Sequence, residues 1–413
     1  MFDRRVVVTG LGAITPVGNN LEDTWKALVE GRSGISYVTR YDLGDIPVKI
    51  GGEVKGFDPA SVVDPKEARY MSRATVFAIA AADEAIKQAG LQITPENAER
   101  VGIYMGSGAG GIELLLEQQK VLEQKGPRRV SPYLMPNFIV DSASGHMAIR
   151  YGAQGPNMAP VSACATGGHS VGEAYETIRR GDADVMIAGG TEGGSHLPIM
   201  FAGFSVIKAL ANDDPPEKAC KPFDLNRSGF VLSEGAAVLV LEELEHALSR
   251  GAKPLAEIIG YGTGNDAFHM ASQPEGGAGA ARVMRMAIRK ANIAPEEVDY
   301  INAHGTGTQI NDKGETAAIK EVFGDHAYKL AISSIKSMIG HTMGAAGAIE
   351  AVACVKTIIE GCIPPTINYE TPDPECDLDY VPNTARSADV RVALSNSLGL
   401  GGHNSCLIFR KFE

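Results

Sequence analysis

Val161-Ser162-Ala163-Cys164-Ala165-Thr166-Gly167-Gly168 is the stretch in which a β-prone run gives way to a helical pattern. The run from Met158 to Ser162 favours a strand, and the periodicity from Gly168 to Arg180 predicts a helix. A thiol at this junction lies near the unpaired amides of a helix N-terminus, which favour a thiolate and can hold an oxyanion. Acyl-transfer nucleophiles occupy such positions. Because a free cysteine is also a common small core residue, this stretch alone leaves both interpretations of Cys164 open.

Strand-like and helical patterns alternate along the whole chain. In the first part, predicted strands at Val6–Thr9, Val101–Met105, Asp184–Ala188 and Ala236–Leu241 are interleaved with predicted helices at Thr24–Glu30, Arg73–Ala89 and Val171–Arg180. A second series has predicted strands at Ala256–Gly260, Tyr300–Ala303, Val390–Ser395 and Ser405–Arg410 and predicted helices at Ala278–Ala291 and Gly344–Glu360. This alternation predicts βαβ units, a mostly parallel sheet and an α/β fold.

The second series opens much as the first does. The segment Ala256-Glu257-Ile258-Ile259-Gly260-Tyr261-Gly262 loosely repeats Val6-Val7-Val8-Thr9-Gly10-Leu11-Gly12. We therefore predict a duplicated α/β half, with one half at residues 1–250 and the other at residues 251–413.

Composition excludes several classes of function. The chain has 413 residues, 44% hydrophobic and 21% charged, which is typical of a globular protein long enough for two domains. Its net charge of −12 and the lack of a long basic run argue against nucleic-acid binding. The six cysteines form no C-x-x-C pair and no zinc-like cluster with histidine, which favours a reducing compartment. Since no signal peptide or membrane-spanning stretch is recognisable, we expect a cytoplasmic protein without membrane insertion.

Two further motifs each place a histidine in a glycine-rich segment. One is Asn302-Ala303-His304-Gly305-Thr306-Gly307-Thr308, and the other is Lys336-Ser337-Met338-Ile339-Gly340-His341-Thr342-Met343-Gly344-Ala345-Ala346-Gly347. A single histidine is more often structural than catalytic, and a single lysine is usually a solvated charge. Together with Cys164, the two motifs indicate a catalytic site.

These motifs resemble the β-ketoacyl-[acyl-carrier-protein] synthases, condensing enzymes of the thiolase superfamily, and most closely their synthase II branch with its Cys-His-His triad. The resemblance extends through Gly229-Phe230-Val231-Leu232-Ser233-Glu234-Gly235 to Ser395-Asn396-Ser397-Leu398-Gly399-Leu400-Gly401-Gly402-His403-Asn404. It implies a duplicated five-layer α-β-α-β-α fold and a homodimer. It also implies an acyltransferase that extends fatty acyl chains by decarboxylative condensation with malonyl-carrier protein.

The resemblance assigns the acyl-transfer step to Cys164. Its thiolate would attack the thioester carbonyl, and the backbone amides of Cys164 and Leu400 would form the oxyanion hole. Thr306 and Thr308 would bind the phosphopantetheine arm that arrives on the acyl carrier protein. No further cofactor is required by this chemistry.

The resemblance assigns the decarboxylation step to the two histidines. Neutral His304 and His341 would donate hydrogen bonds to the oxygen of the enolate that is left when CO₂ departs. We expect Lys336 to order His341 and the local electrostatic field, acting through Glu350.

A structural monovalent cation, K⁺ or Na⁺, is also implied by the resemblance. Asn302, Glu350, Ser395 and Asn396 stand at the positions that bind this ion in the family. Their oxygen atoms are suited to a hard cation.

The chain departs from the family pattern around the acyl pocket. Leu398 and Leu400 stand where related synthases commonly have phenylalanine, and Ala109 replaces a larger aliphatic residue. Because Leu400 holds the gate position, we hypothesise a deeper or less strictly gated pocket that accepts longer acyl chains. A change of one methylene is worth only ~1–3 kcal/mol, so the shift should be graded.

An acidic carrier protein requires a basic docking patch on a chain whose net charge is −12. The candidates are Lys66 with Arg69, Lys125 with Arg128 and Arg129, and Lys208.

Three alternatives share parts of this pattern. A ketosynthase of a polyketide or specialised-lipid pathway would use the same motifs. A thiolase would need a second cysteine as base, but Cys406 lies in a predicted strand and His341 fills the second histidine position. A non-catalytic partner subunit that sets chain length would lack Cys164. We therefore favour a fatty-acid condensing enzyme.

Overall fold

The computed structural model describes residues 4–212 and 215–413. Within these residues, the strands of the main sheet are β1 (Val6–Ile14), β2 (Val101–Gly106), β3 (Asn157–Met158), β4 (Val185–Glu192), β5 (Gly235–Glu243), β6 (Ala256–Asn265), β7 (Tyr300–Asn302), β8 (Ala331–Ser333), β9 (Val392–Gly399) and β10 (His403–Arg410). The helices are α1 (Leu21–Val29), α2 (Pro65–Ala68), α3 (Arg73–Ala89), α4 (Ile112–Lys125), α5 (Leu134–Phe138), α6 (Ser142–Tyr151), α7 (Thr166–Arg180), α8 (Pro198–Val206), α9 (Leu244–Ser249), α10 (Ala278–Ala291), α11 (Gln309–Phe323), α12 (Lys336–Ile339) and α13 (Ala346–Glu360).

The strand order repeats itself. From the centre of the sheet outward, the first half runs β1-β5-β4-β2-β3 and the second half runs β6-β10-β9-β7-β8. Each strand of the first half thus has a counterpart five strands later in the chain. The halves meet where β1 pairs antiparallel with β6, from Val6 opposite Ile258 to Val8 opposite Ala256. This repeat confirms the predicted duplicated α/β fold.

The prediction of a mostly parallel sheet is wrong. Parallel pairing is found toward the two edges, among β4, β2 and β3 and among β9, β7 and β8. The central pairings, from β9 through β10, β6, β1 and β5 to β4, are antiparallel. The reason is clearest at β9 and β10, which a short glycine-rich turn connects without a crossover helix, so that they must run in opposite directions.

Five layers follow from the helix contacts. In the middle, α7 and α13 pack on each other and contact strands of both halves. On the outer faces, α3 and α6 cover the first half, whereas α10 and α11 cover the second. This arrangement confirms the predicted α-β-α-β-α fold.

Both opening strands are longer than predicted because of their glycines. A Cβ on Gly10 or Gly12 would overlap the backbone of α3, and one on Gly260 or Gly262 would overlap the backbone of α10. The glycines therefore allow a helix to lie directly on each strand, and the strand continues through them. The loose sequence repeat reflects this shared packing requirement.

The predicted strand from Met158 to Ser162 is also wrong in extent. Only Asn157–Met158 is a strand, β3, at the edge of the sheet. The Ser162 amide donates to the Thr166 hydroxyl at 2.8 Å instead of to a neighbouring strand. Cys164 is therefore held by the start of α7 and not by a strand end.

None of the helices between residues 4 and 212 or between 215 and 413 combines the length and apolar character that crossing a membrane requires.

Candidate active site

A cavity of about 420 Å³ brings the sequence motifs of the two halves together. Its walls include Cys164, His304, His341 and the segment Leu398–Gly402. The thiol is supplied by the first half, and both imidazoles are supplied by the second. The position of each of these side chains depends on the turn or loop that carries it.

Cys164 lies in a single 3₁₀ turn, Ala163–Ala165, that leads directly into α7. Ala163 has a φ of 52°, which is strained for a residue with a Cβ and occurs mainly where the surroundings enforce it. Burial raises the pKa of the Cys164 thiol to about 11, while the amides of Leu400 and Cys164 and the charge of Lys336 act to lower it. The Cys164 thiol therefore lies near two backbone N–H donors and the charged Lys336 side chain.

The turn between β9 and β10 brings the Leu400 amide to the thiol. It can do so because Gly399 has no side chain: a Cβ there would lie 2.8 Å from the Ser162 carbonyl oxygen and 3.2 Å from the Cys164 nitrogen. Leu398 and Leu400 both line the cavity, but Leu400 is 39% exposed whereas Leu398 is buried.

The second half contains a turn equivalent to the one that carries Cys164, but without a cysteine. A 3₁₀ turn at Met343–Ala345 leads into α13, and Met343 has a φ of 49°, matching Ala163. Gly344 therefore occupies the position equivalent to Cys164. The two helices cross with their backbones in contact, since a Cβ on Gly167 would lie 2.6 Å from the Ala348 nitrogen.

His304 follows β7 and is fully buried. A carboxylate from α11 holds its loop: Glu315 accepts hydrogen bonds from the amides of His304 and Gly305, both at 2.8 Å. Burial lowers the pKa of His304 well below 6.5, and Lys336 and His341 lower it further. His304 is therefore neutral at physiological pH.

Lys336 contacts His304 directly and pairs with Glu350 as expected, whereas it acts on His341 through its charge, which lowers the pKa of His341. Its Nζ lies 3.3 Å from His304 Nδ1 and forms an ion pair with Glu350. Since the ammonium can only donate, it places the proton of neutral His304 on Nε2. Burial raises the pKa of Glu350 to about 7, and the neighbouring Lys336 opposes that shift. Lys336 begins α12, which turns it toward the first histidine motif.

His341 completes the pair of imidazoles. Its ring lies at 86° to that of His304 with 5.4 Å between centroids, and it packs edge-on against Phe230 at 5.3 Å. The His341 amide donates to the Val231 carbonyl at 2.7 Å, which fixes its loop to the Gly229–Gly235 motif. Burial, followed by Lys336, lowers the pKa of His341 well below 6.5.

Thr306 and Thr308 both line the cavity, and their hydroxyls lie 3.0 Å apart. Thr308 is also the N-cap of α11, where it accepts from the Asn311 amide. A structural role for Thr308 therefore coexists with its place in the cavity wall.

The four residues named for a cation share one feature in the described part of the chain, a buried side-chain oxygen without a partner. Among the described residues, Asn302 Oδ1, Glu350 Oε2, Ser395 Oγ and Asn396 Oδ1 are buried atoms without a hydrogen-bond partner. Buried oxygens that lack a partner are costly, and a cation would satisfy them. This donor set fits a K⁺ or Na⁺ ion.

Ala109 is not brought into the cavity with Cys164. Its amide lies 3.3 Å from the buried carboxylate of Glu192, which also accepts from Gly108 at 2.9 Å and from Gly344 at 3.1 Å. Burial raises the pKa of Glu192 to about 7. Ala109 thus belongs to a loop that Glu192 ties to the start of α13.

Of the proposed basic residues, Lys208 lies at the cavity wall. The other five, Lys66, Arg69, Lys125, Arg128 and Arg129, are exposed on and after α2 and α4 and do not line the cavity.

Sequence reasoning missed Glu315, Glu192 and His169. His169 is hydrogen-bonded to Ser162, two residues before the nucleophile. Glu192 is remote in sequence from the amides it binds, and Glu315 lies on the helix that follows its loop, ten and eleven residues away, a spacing that carries no recognised signal. His169 could have been noticed, because it follows Cys164 by little more than one helical turn.

Comparisons with known proteins identify the family of the chain. The family models described as "Beta-ketoacyl synthase, N-terminal domain" and "Beta-ketoacyl synthase, C-terminal domain" match residues 3–247 and 255–370. Proteins named 3-oxoacyl-[acyl-carrier-protein] synthase 2 from Synechocystis sp. and Staphylococcus aureus are each 50% identical over 412 residues. These alignments cover 99% and 100% of this chain and 99% of each relative.

Solved structures of ketosynthases share the fold over 99% of this chain. A β-ketoacyl synthase from Burkholderia phymatum, 34% identical, superposes with a TM-score of 0.92 and is covered completely. A type II polyketide ketosynthase in complex with its acyl-carrier protein, 36% identical and also covered completely, superposes with a TM-score of 0.89.

Proposed function

This chain belongs to the β-ketoacyl synthase family, and we propose that it extends acyl groups on acyl carrier protein by two carbons in fatty acid synthesis. The reaction is a decarboxylative Claisen condensation with malonyl-carrier protein, which makes the enzyme an acyltransferase. The observation that carries this proposal is the cavity in which one buried thiol, two neutral imidazoles and two backbone donors converge.

The first step transfers the acyl group to Cys164. The thiolate attacks the thioester carbonyl, the new C–S bond forms, and the bond to the pantetheine sulfur breaks. The amides of Cys164 and Leu400 stabilise the tetrahedral oxyanion, and losing such a donor typically costs about 10²- to 10³-fold in rate. The pantetheine thiol leaves with the proton that Cys164 gave up.

The second step uses the two histidines. When the malonyl group loses CO₂, negative charge collects on its thioester oxygen, and the N–H groups of His304 and His341 stabilise this enolate. Because the Lys336 ammonium is next to His304 Nδ1, the proton of His304 is held on Nε2. The enolate carbon then attacks the acyl carbonyl, a C–C bond forms, and Cys164 departs as thiolate.

The substrate arm and the cation have separate binding groups. Thr306 and Thr308 line the cavity that contains Cys164, which supports a role for them in binding the phosphopantetheine arm. Asn302, Glu350, Ser395 and Asn396 would hold a K⁺ or Na⁺ ion, whose charge would neutralise part of the buried carboxylate. Thermal unfolding in KCl or NaCl against tetramethylammonium chloride tests this, since a bound ion raises the melting temperature. Equal melting temperatures would contradict the ion site.

Product analysis tests the function itself. The purified enzyme should convert octanoyl-carrier protein and malonyl-carrier protein into a 3-oxo product two carbons longer, with release of CO₂. Cys164→Ser should abolish this product. Chains extended repeatedly without reduction would instead favour the polyketide alternative, and absence of any condensation would overturn the proposal.

We also propose that the enzyme is a homodimer. The edge strand β3 exposes Met158, which is 49% exposed, and nearby segments expose Val161, Met135 and Ile149 at 50%, 65% and 84%. An unpaired strand edge with exposed apolar neighbours is suited to pairing with a second copy. Sedimentation should give twice the chain mass for the wild type. Met158→Asp combined with Ile149→Asp should shift it toward the monomer, and a wild-type monomer would contradict this proposal.

The described cysteines are all free, which supports action in a reducing compartment such as the cytoplasm.

A further inference from the structure

His169 lies near the reaction centre, yet the chemistry proposed above does not use it. It belongs to the first part of α7, little more than one turn after Cys164, and it is not part of the cavity wall. Its ring is half-buried and bonded at both nitrogens, so its contacts show what it holds together.

The two ring nitrogens of His169 bind hydroxyls from different halves of the molecule. Nδ1 lies 2.6 Å from Ser162 Oγ, in the turn that precedes the nucleophile. Nε2 lies 3.0 Å from Thr263 Oγ1, on β6 of the second half. The ring also faces the Asn404 backbone on β10.

These contacts connect the two segments that carry the oxyanion donors. Ser162 is two residues before Cys164, and the intervening Ala163 is held at a φ of 52°. Asn404 is the second residue after the turn that carries Leu400, and it pairs with Gly264, the neighbour of Thr263. One imidazole therefore braces the turn of Cys164 against the two strands next to the Leu400 turn.

We propose that His169 is a positioning residue that sets the amides of Cys164 and Leu400 relative to each other as oxyanion donors. An oxyanion hole works only when its donors lie within about 2.7–3.1 Å of the position that the oxyanion will occupy. The amide of Cys164 sits in a strained turn, which needs an external contact to keep its direction. The inference rests on the proposed function, because only acyl transfer requires this pair of donors.

The ionisation state of His169 suits this role. Burial, and then the neighbouring His403, lowers the pKa of His169 to about 4. A neutral imidazole offers one donor and one acceptor, which is what two hydroxyl partners can satisfy. The described groups around the ring are Ser162, Thr263, Tyr261, His403 and the Asn404 backbone.

The test separates the two half-reactions. Acyl transfer to Cys164 is measured by rapid quench as acyl-enzyme formed from acyl-carrier protein. Malonyl decarboxylation, which depends on His304 and His341, is measured as acetyl-carrier protein formed without an acyl donor. Ser162→Ala removes the contact to Nδ1 and should slow acyl transfer about tenfold, less than the loss of a whole donor. Decarboxylation should stay within twofold of the wild type.

A matched pair at position 169 identifies the contact that matters. In His169→Asn the amide group replaces Nδ1 and can still reach Ser162, whereas in His169→Gln it replaces Nε2 and reaches Thr263 instead. His169→Gln should therefore slow acyl transfer as Ser162→Ala does, and His169→Asn should retain most of the rate. Melting temperatures measured in parallel identify a variant that merely fails to fold.

The results distinguish failure of the positioning role from failure of the proposed function. Unchanged acyl transfer in Ser162→Ala, or equal losses in both half-reactions, would overturn the positioning role. A wild-type enzyme that forms no acyl-Cys164 at all would overturn the proposed function instead.

Discussion

At the scale of single residues, burial decides the protonation of the site. His304 and His341 have pKa values well below 6.5 because they are removed from water beside the Lys336 ammonium. In the unfolded chain both would titrate near pH 6.5. The folded state therefore contributes stability that is fully present above about pH 6.5 and is lost as the pH falls below it, because only the unfolded state takes up these protons.

This difference predicts a specific pH dependence of folding. Replacing His341 by Asn should remove one of the groups that bind a proton in the unfolded chain but not in the folded protein. Between pH 6.5 and pH 5.5 the free energy of unfolding should then fall by about 1 kcal/mol less than in the wild type. Urea unfolding at both pH values measures the slope. His246→Asn is the control, since His246 is half-buried and lies outside the site. Identical slopes for the wild type and His341→Asn would show that His341 titrates normally in the fold.

We expect Leu400 to influence which acyl chain lengths the enzyme accepts. Leu400→Phe adds an aromatic ring beside Cys164 and should lower kcat/KM for long acyl-carrier proteins more than for short ones. The graded penalty should be about 1–3 kcal/mol. Ile310→Phe, which adds a ring on the same cavity wall at a side chain that is 58% exposed, should leave the preference unchanged. A chain-length series measures both, and parallel losses at all lengths would refute the gating role of Leu400.

Local sequence patterns could predict the identity of the reacting residues but not their partners. Cys164 before a helix and two histidines in glycine-rich loops are visible in sequence. The choice of His304 as the partner of Lys336 depends on how α12 and β7 meet in space. Likewise, Glu192 binds the amides of Gly108 and Gly344, which are far away in sequence, so only packing brings these pairs together.

At the scale of elements, glycines decide how closely helices approach. A Cβ on Gly347 would lie 2.5 Å from the Gly168 nitrogen and 2.6 Å from Ser397 Oγ. Both neighbours belong to the packed middle of the fold, so neither can move away cheaply. The same crossing brings the turns of Cys164 and Gly344 side by side.

Gly347→Ala should therefore destabilise the fold by about 1–3 kcal/mol, the usual cost of overpacking. The matched control is Gly203→Ala on α8, where no atom lies within 4 Å of the added Cβ. There alanine should stabilise by up to about 1 kcal/mol through helix propensity alone. Chemical denaturation measures both, and equal effects would mean that the α7–α13 contact tolerates a side chain.

Element order was more predictable than strand direction. Alternating patterns place the strands and reveal the repeat, because each opening strand needs glycines under its helix. They do not show that β10 returns directly after β9 or that β5 enters between β1 and β4. Those features depend on turn length and on the other strands of the sheet.

At the scale of the whole molecule, a net charge of −12 conflicts with an acidic partner unless basic side chains lie where the partner arrives. Lys208 is exposed and lines the cavity that leads to Cys164. Lys208→Glu should raise KM for acyl-carrier protein several-fold and leave turnover of a small acyl-pantetheine thioester unchanged.

The control for this change is Lys253→Glu, which alters the charge equally at an exposed site that is not part of the cavity wall. Kinetics at low and moderate salt measure both variants. Equal effects of the two variants would show that overall charge, and not Lys208, governs docking.

The contact of α7 with α13 also determines what a break in the chain would do. The turn at Gly251, between α9 and β6, is exposed, and it links two halves that share strand pairs and a backbone-to-backbone crossing. A protease that cleaved this turn would not separate the two fragments, because each fragment would remain packed against the other. The nicked enzyme should elute as one particle and still form its acyl intermediate, since the thiol and the imidazoles would stay in place on different polypeptides.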